Sequence, residues 1–338
     1  MDSSGKTLAA RRFAGLALAC AVLLVVCLLS VAVGSKNIPL PEVIDALLHD
    51  TGRGDAYVVW HMRVPRTAVG LCVGVALGVA GALIQALTRN PLADPGILGV
   101  NAGAEFFVVI GVVAFGASAI GDDVWFAFAG ALVVTVAVYL IGASGRGGVD
   151  PLPLTLAGVA LSAVLSGLVS GIALLDRDTF DRMRGWYAGS IVDRGWEVVL
   201  PVLPFLCLGL VLAALAANSL NAIALGDDVA TSLGAHVTRT RLVVVAATTL
   251  LAGGATAVAG PVGFIGLMTP HVARWFTGPD QRWILVYTLL LAPALLLIAD
   301  IIGRVVLRPG ELPVGIVAAF VGGPVLIALV RRARVSGL

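Results

Sequence analysis

Long apolar runs, separated by short polar stretches, dominate the pattern of this chain. Runs at 13–33, 64–88, 97–115, 124–142, 154–175, 198–217, 243–258, 283–303 and 313–330 carry very few charges. A bilayer core is crossed by roughly 20 apolar residues in helical form, so these runs predict membrane helices. The segment 259–275 is shorter, rich in glycine and broken by Pro261 and Pro270. Counted as a crossing, it brings the expectation to about ten. The first run follows Arg11 and Arg12 and is longer than the core of a secretion signal, so it reads as a retained helix. A short tail, 1–12, precedes it, and its basic flank places that tail in the cytoplasm.

Three stretches depart from simple spans. Residues 34–62, with Pro39, Pro41, Gly52 and Gly54, read as a polar connection. Residues 88–105 hold Pro91, Pro95, Gly96, Gly99 and Gly103, so the backbone there is irregular. In a bilayer such backbone survives only when buried in protein or lining a cavity. Residues 176–196 are charged and amphipathic with aromatic anchors, which predicts an interfacial helix. Within 64–88, Gly70, Gly74, Gly78 and Gly81 fall inside about 80° of a helical wheel. Such a face lets another backbone approach closely.

Composition agrees with the pattern: 59% of residues are hydrophobic, 12% are charged, and mean hydropathy is +1.01. The chain is an all-α polytopic membrane protein with one transmembrane domain, 1–338. A net charge of +2 does not argue for nucleic acid. Cys20, Cys27, Cys72 and Cys207 sit in apolar runs without metal spacing, and the four histidines are scattered. Gly5-Lys6-Thr7 resembles the end of a phosphate loop but lacks the strand and the first glycine that such a loop needs.

The polar island ALGDDVATSLGAHVTRTR, 224–241, interrupts the apolar pattern between two spans. Gly226 ends one helix, Asp227 or Asp228 caps a short one through Leu233, and Gly234 stops it. Arg239 and Arg241 follow. The bland reading is a solvated loop; the alternative is a docking surface. Ten crossings put this island (218–241 with its flanks), the basic N-terminal end and Arg331, Arg332 and Arg334 on one side. Lysine and arginine divide almost evenly, 12 on that side and 10 on the other, so the basic ends decide orientation. Arg63, Arg66 and Arg304 lie near the outer ends of spans, where they either snorkel to headgroups or face an acidic soluble partner.

MRVPRTAVGLCVGVALGVAGALIQALTRNPLADPGILGVNAGA (62–104), LGDDVATSLGA (225–235), AVAGPVGFIGLMTPHVAR (257–274) and GELPVGIVAAFVGGPVLIALVRR (310–332) resemble FecCD-type permeases. These are membrane subunits of ATP-driven importers for iron-siderophores, haem and vitamin B12, and the finer likeness is to ferric-catecholate permeases. The resemblance implies a type II ABC importer permease fold of ten helices in a bacterial inner membrane, both termini cytoplasmic. It implies two cytoplasmic ATP-binding subunits, a second permease (a paralogue favoured over an identical copy) and an extracytoplasmic binding protein that delivers the chelate. ATP and Mg belong to the partners, and no cofactor or catalytic residue is expected here. The island then matches an ATPase-coupling element: Leu225, Gly226, Asp227, Asp228, Ala230, Leu233 and Gly234. Arg63, Arg66 and Arg304 match arginines that dock the binding protein, and Asn90 and Leu92 match a cytoplasmic gate. Pro151-Leu152-Pro153 departs from the small polar residues of a second gate position, so that role is not carried over.

Two residues inside the spans, Gln85 and Glu105, are candidates to line the pathway. A secondary transporter would need buried acid or base relays, for which only Glu105 and Asp300 offer themselves. A membrane enzyme would need clustered His, Cys or carboxylates at one depth, and the sequence has none.

Overall fold

The computed structural model describes residues 3–117, 120–144 and 151–335, so residues 1–2 of the expected tail and the chain end beyond Val335 lie outside it. Within these residues the chain is helical, because in lipid each backbone amide must find its partner inside its own segment. The helices are α1 (Ser3–Ala32), α2 (Leu40–Leu48), α3 (Gly54–Thr88), α4 (Val100–Phe115), α5 (Ile120–Ala143), α6 (Pro151–Leu175) and α7 (Arg177–Tyr187). After these come α8 (Leu203–Ile223), α9 (Asp227–Ser232), α10 (Val237–Ala259), α11 (Ile265–Thr277), α12 (Gln281–Val306) and α13 (Val314–Val335).

Among the described residues, seven helices are long and apolar enough to cross a bilayer: α1, α3, α5, α6, α8, α10 and α12. Two further apolar helices, Val100–Phe115 and Val314–Ala328, are shorter, and α11 has 13 residues. Of the about ten spans expected, seven are therefore present as full-length apolar helices among the described residues, and the other three expected runs form the shorter helices α4, α11 and α13. At ~1.5 Å per residue, α4 and α11 each fall short of a ~30 Å core. Both begin inside the bundle. The loop before α4 runs partway along α5 and α6: Gly99 has Val134, Val138 and Ser162 as its nearest neighbours, and Gly158 abuts the Ile97 carbonyl. Of the irregular backbone expected at 88–105, the part from Ala93 inward is therefore packed against protein, while 89–92 are exposed at the end of the bundle.

The reading of 34–62 as a polar connection is corrected. Leu40, Val43, Ile44 and Leu47 fall at helical spacing, so α2 forms and buries Val43 against Ile38, Ala56 and Val59. Trp60 ties back through Nε1 to the Ala46 carbonyl at 2.9 Å. The apolar run Ala56-Tyr57-Val58-Val59-Trp60 carries α3 ten residues upstream of its expected start. Pro65 has no amide and would clash with the carbonyl four residues back. Its ring is accommodated by a π-helical turn, Val58–Arg63, in which the Val64 amide reaches the Val59 carbonyl.

The glycine face of α3 does what its spacing predicts. Gly70 lies against Leu297 and Gly74 against the backbone of Pro293, both on α12. Gly78 lies against Ala292 of α12, and Gly81 against the backbone of Gly266 on α11. α3 thereby becomes the buried axis of the bundle, contacted by α8, α10, α11 and α12.

The tail 1–12 is also corrected, since from Ser3 onward it is part of α1. Arg12 donates to the Thr277 carbonyl at 2.7 Å and Arg11 to the Trp275 carbonyl. These are unpaired carbonyls at the C-terminus of α11, where cations are favoured.

Candidate functional site

Two clusters of charge mark the two ends of the bundle. At one end lies the island. α8 stops at Ile223, and Gly226, at φ 111°, reverses the chain into α9. Gly234 (φ 83°) ends it, and α10 starts at Val237. The cap expected from Asp227 or Asp228 is instead Gly226, because the Asp227 carboxylate is engaged elsewhere. It accepts from Arg241 at 2.7 Å and from Arg89, the residue after α3. Arg89 also donates through Nε to the Ile223 carbonyl at 3.0 Å.

Held this way, α9 presents an apolar surface to solvent. Leu225 is 65% exposed, Leu233 64%, and Val229 lies between them at 44%. Asp228 is exposed beside them, and Gly226 and Gly234 form the turns. Ala230, expected among the docking residues, is 0% exposed and packs inward, because the helical repeat turns it away from that face. Val229 was missed for the same reason: only the helix phase separates it from Ala230.

Asn90 and Leu92 follow Arg89 directly and are exposed at the same end. The Asn90 Oδ1 accepts the Leu92 amide at 3.0 Å, closing a turn. Gln85, one turn inside, is buried and fully engaged: Nε2 donates to the Leu267 carbonyl at 3.1 Å, and Oε1 accepts from Arg274 at 2.8 Å. It braces α3 against α11 within this chain, which corrects its reading as a pathway-lining group. Glu105 is buried and accepts a hydrogen bond from the Tyr187 hydroxyl, at the end of α7.

At the opposite end, Asp300 sits between two arginines of the expected ring. Arg66 reaches its carboxylate through Nε at 3.1 Å and Nη2 at 2.6 Å, and Arg304 through Nε at 2.9 Å. Arg66 also bonds Glu311 at 2.6 Å. Burial works against the Glu311 charge, but the hydrogen bonds from Arg66 and Ser35 outweigh it and hold that carboxyl below its ordinary range. Arg304 donates to the Ser30 carbonyl at 2.6 Å and the Val33 carbonyl at 3.0 Å. Arg63 donates to Val31 at 3.0 Å, to Ala32 at 2.7 Å and to Lys36 at 2.7 Å.

The expectation of an open arginine ring is therefore corrected. All three arginines are buried, Arg304 to 1% exposure. Arg63 and Arg304 satisfy the last carbonyls of α1, which have no partner in their own helix and carry its negative dipole end, while Arg66 is held by Asp300 and Glu311. The Asp300–Arg304 pair has the i, i+4 spacing of a helical ion pair, a signal that was legible in the sequence. Above the network opens a polar cavity of about 480 Å³, with Lys36, His61, Asp193, Arg194 and Glu197 among its lining residues.

One end of the bundle thus carries the island with its exposed leucines, and the other a buried ionic lattice beneath the cavity. The FecCD transport family model matches residues 22–332. The chain belongs to the FecCD transport family. Among its relatives, the ferric enterobactin transport system permease protein of Escherichia coli is 52% identical over 94% of each chain. A siderophore transport system permease protein of Bacillus subtilis is 37% identical over 92% of this chain and 93% of that one. A solved metal-chelate type ABC transporter in an inward-facing conformation superposes with a TM-score of 0.83 at 27% identity, covering 94% of this chain and 98% of that one. This FecCD chain is thus a multi-pass membrane protein with the helical architecture of that transporter class.

Proposed function

We propose that the chain is the permease subunit of an ATP-driven importer that moves an iron-siderophore chelate into the bacterial cytoplasm by alternating access. The observation that carries this is the island. Exposed leucines flanking a six-residue helix that itself exposes Val229, braced by two arginines, suit insertion into a cleft of a partner and have no role in a lone channel. The partner we assign is a pair of cytoplasmic ATP-binding subunits, which supply ATP and Mg, so this chain needs no cofactor or catalytic residue of its own. Both termini and the island then lie on the cytoplasmic side, and the bundle crosses the inner membrane ten times, α4, α11 and α13 included.

The polar mouth at the other end suits an extracytoplasmic binding protein, with Lys36 and His61 exposed at its rim and Arg63, Arg66 and Arg304 shaping it from beneath. Asn90 and Leu92 stand where a cytoplasmic gate would close. A second permease, a paralogue by preference, completes the pathway. The chelate class follows the named relatives; haem and vitamin B12 remain the alternatives within the family. The secondary-transporter reading is disfavoured by partners on both of its candidate relays, since Asp300 is clasped by two arginines and Glu105 by Tyr187.

Purification of the tagged chain from native membranes tests the reading. Co-purification of an ATPase and a second permease is the expected result; purification without any ATPase, in a detergent that preserves such complexes, overturns it. Leu233→Asp is expected to weaken ATPase binding by tenfold or more, since it exchanges roughly 1.5–3 kcal/mol of leucine burial for a charge. Titrating the purified ATPase against the permease in nanodiscs reads that loss.

A further inference from the structure

Arg89 stands between two features that otherwise do not meet. Its backbone is left-handed, φ 50° and ψ 29°, an uncommon state for a residue with a side chain. That turn ends α3 and aims the chain into Asn90-Pro91-Leu92. The side chain runs the other way, to the Ile223 carbonyl at the end of α8 and to Asp227 in the first turn of α9. One residue therefore holds the island with its guanidinium and the gate loop with its backbone.

Beyond Leu92 the connection continues inward without slack. Ala93 and Pro95 are buried, and the Asp94 carboxylate accepts the Gly96 amide at 2.8 Å. Ile97 abuts Gly158 of α6, and Gly99 lies between α5 and α6, where α4 begins. A displacement of α9 thus has a continuous, closely packed route to the mid-bundle start of α4.

The pair itself is weak as a source of stability. Both side chains are about 40% exposed, so water screens the pair and it adds little to stability. Its value is geometric. The other guanidinium on Asp227, that of Arg241, belongs to α10, whereas Arg89 is continuous in sequence with the gate loop. We propose that Arg89 is a positioning residue that transmits movement of the island helix α9 to the loop 90–99, so that partner closure is converted into gate movement. This rests on the import reading above.

The test uses the complete importer in proteoliposomes, with binding protein and ferric chelate supplied outside and ATP inside. Chelate taken up and ATP hydrolysed are measured together. Arg89→Ala is expected to leave hydrolysis running while uptake per ATP falls on the order of tenfold, the scale of an ordinary coupling energy. Arg89→Lys, which keeps a cation but cannot reach both partners in the same fork, is expected to restore part of it. In a double-variant cycle with Asp227→Ala, the combined loss should be less than the sum of the two, because the Arg89–Asp227 contact is shared, although each variant also cuts one bond of its own, to the Ile223 carbonyl or to Arg241. Uptake per ATP within twofold of wild type for Arg89→Ala, or losses that add independently, overturns the proposal. A parallel thermal unfolding scan separates this from misfolding: a large drop in Tm for Arg89→Ala assigns Arg89 to holding the fold and also overturns it. A wild-type importer that takes up no chelate with ATP fails at the earlier step and removes both readings.

Discussion

Asp300→Ala is expected to destabilise this permease more than removal of any exposed charge, by about 3–5 kcal/mol, the usual cost of breaking a buried ion pair. The carboxylate stands between Arg66 and Arg304, both buried, and its loss leaves two guanidiniums facing each other with only Glu311 to offset them. Arg304 also caps α1, so the damage should spread to the packing of the first helix. Thermal unfolding of the purified protein in detergent reads the effect. Lys36→Ala is the comparison, since Lys36 pairs with Asp55 at 2.6 Å but is 60% exposed, and exposed pairs contribute about 0–1 kcal/mol. Equal shifts for the two variants would mean that the lattice does not hold this end together. The same geometry alters what charge reversal at Arg63 or Arg66 would report. A glutamate in either place would meet helix carbonyls or Asp300, so lost docking would follow from lost structure.

Gly81→Leu is expected to prevent α3 and α11 from packing and to abolish accumulation of folded protein. A side chain at Gly81 would be driven into the Gly266 carbonyl, and one at Gly266 into the Leu77 carbonyl. Overpacking into movable side chains costs about 1–3 kcal/mol, and here the obstacle is backbone on both helices, so the cost lies at or above that range. Gly171→Leu on α6, where nothing lies within 4 Å, serves as the comparison and should be tolerated in this subunit. Fluorescence-detected size-exclusion profiles of the two variants check this. A monodisperse peak for Gly81→Leu would show that the α3–α11 contact is dispensable.

Much of the fold was legible because its causes are local. An apolar run must be helical in lipid, since its amides have no other partner, and the length of the run sets how far it reaches. Four glycines on one wheel face announce a close neighbour before the neighbour is known. The island was legible in part: its two glycines bound a short helix, but the capping role expected of its aspartates was lost to the arginines that engage Asp227. Positions 34–62 were misread because Leu40–Leu48 is apolar on one face only and too short to look like a span, and it packs on Ile38, Ala56 and Val59, scattered positions that only folding brings beside it.

By itself the sequence determined that this is a polytopic helical membrane protein, where its long apolar runs lie, that α3 offers a smooth face, and that a short helix bounded by glycines interrupts the apolar pattern. Family membership was carried by those same motifs. Only the tertiary structure decided which charges are free. Arg66 and Asp300 stand 234 positions apart, and no periodicity links them. Whether an arginine near a helix end faces water or caps another helix depends on which chain end folds beside it. The phase that hides Ala230 and shows Val229, the depth at which α4 and α11 begin, and the bond from Arg89 to the island were settled the same way. Each depends on distant segments brought together by packing, and the energy of a charge or a carbonyl depends on what packing leaves beside it.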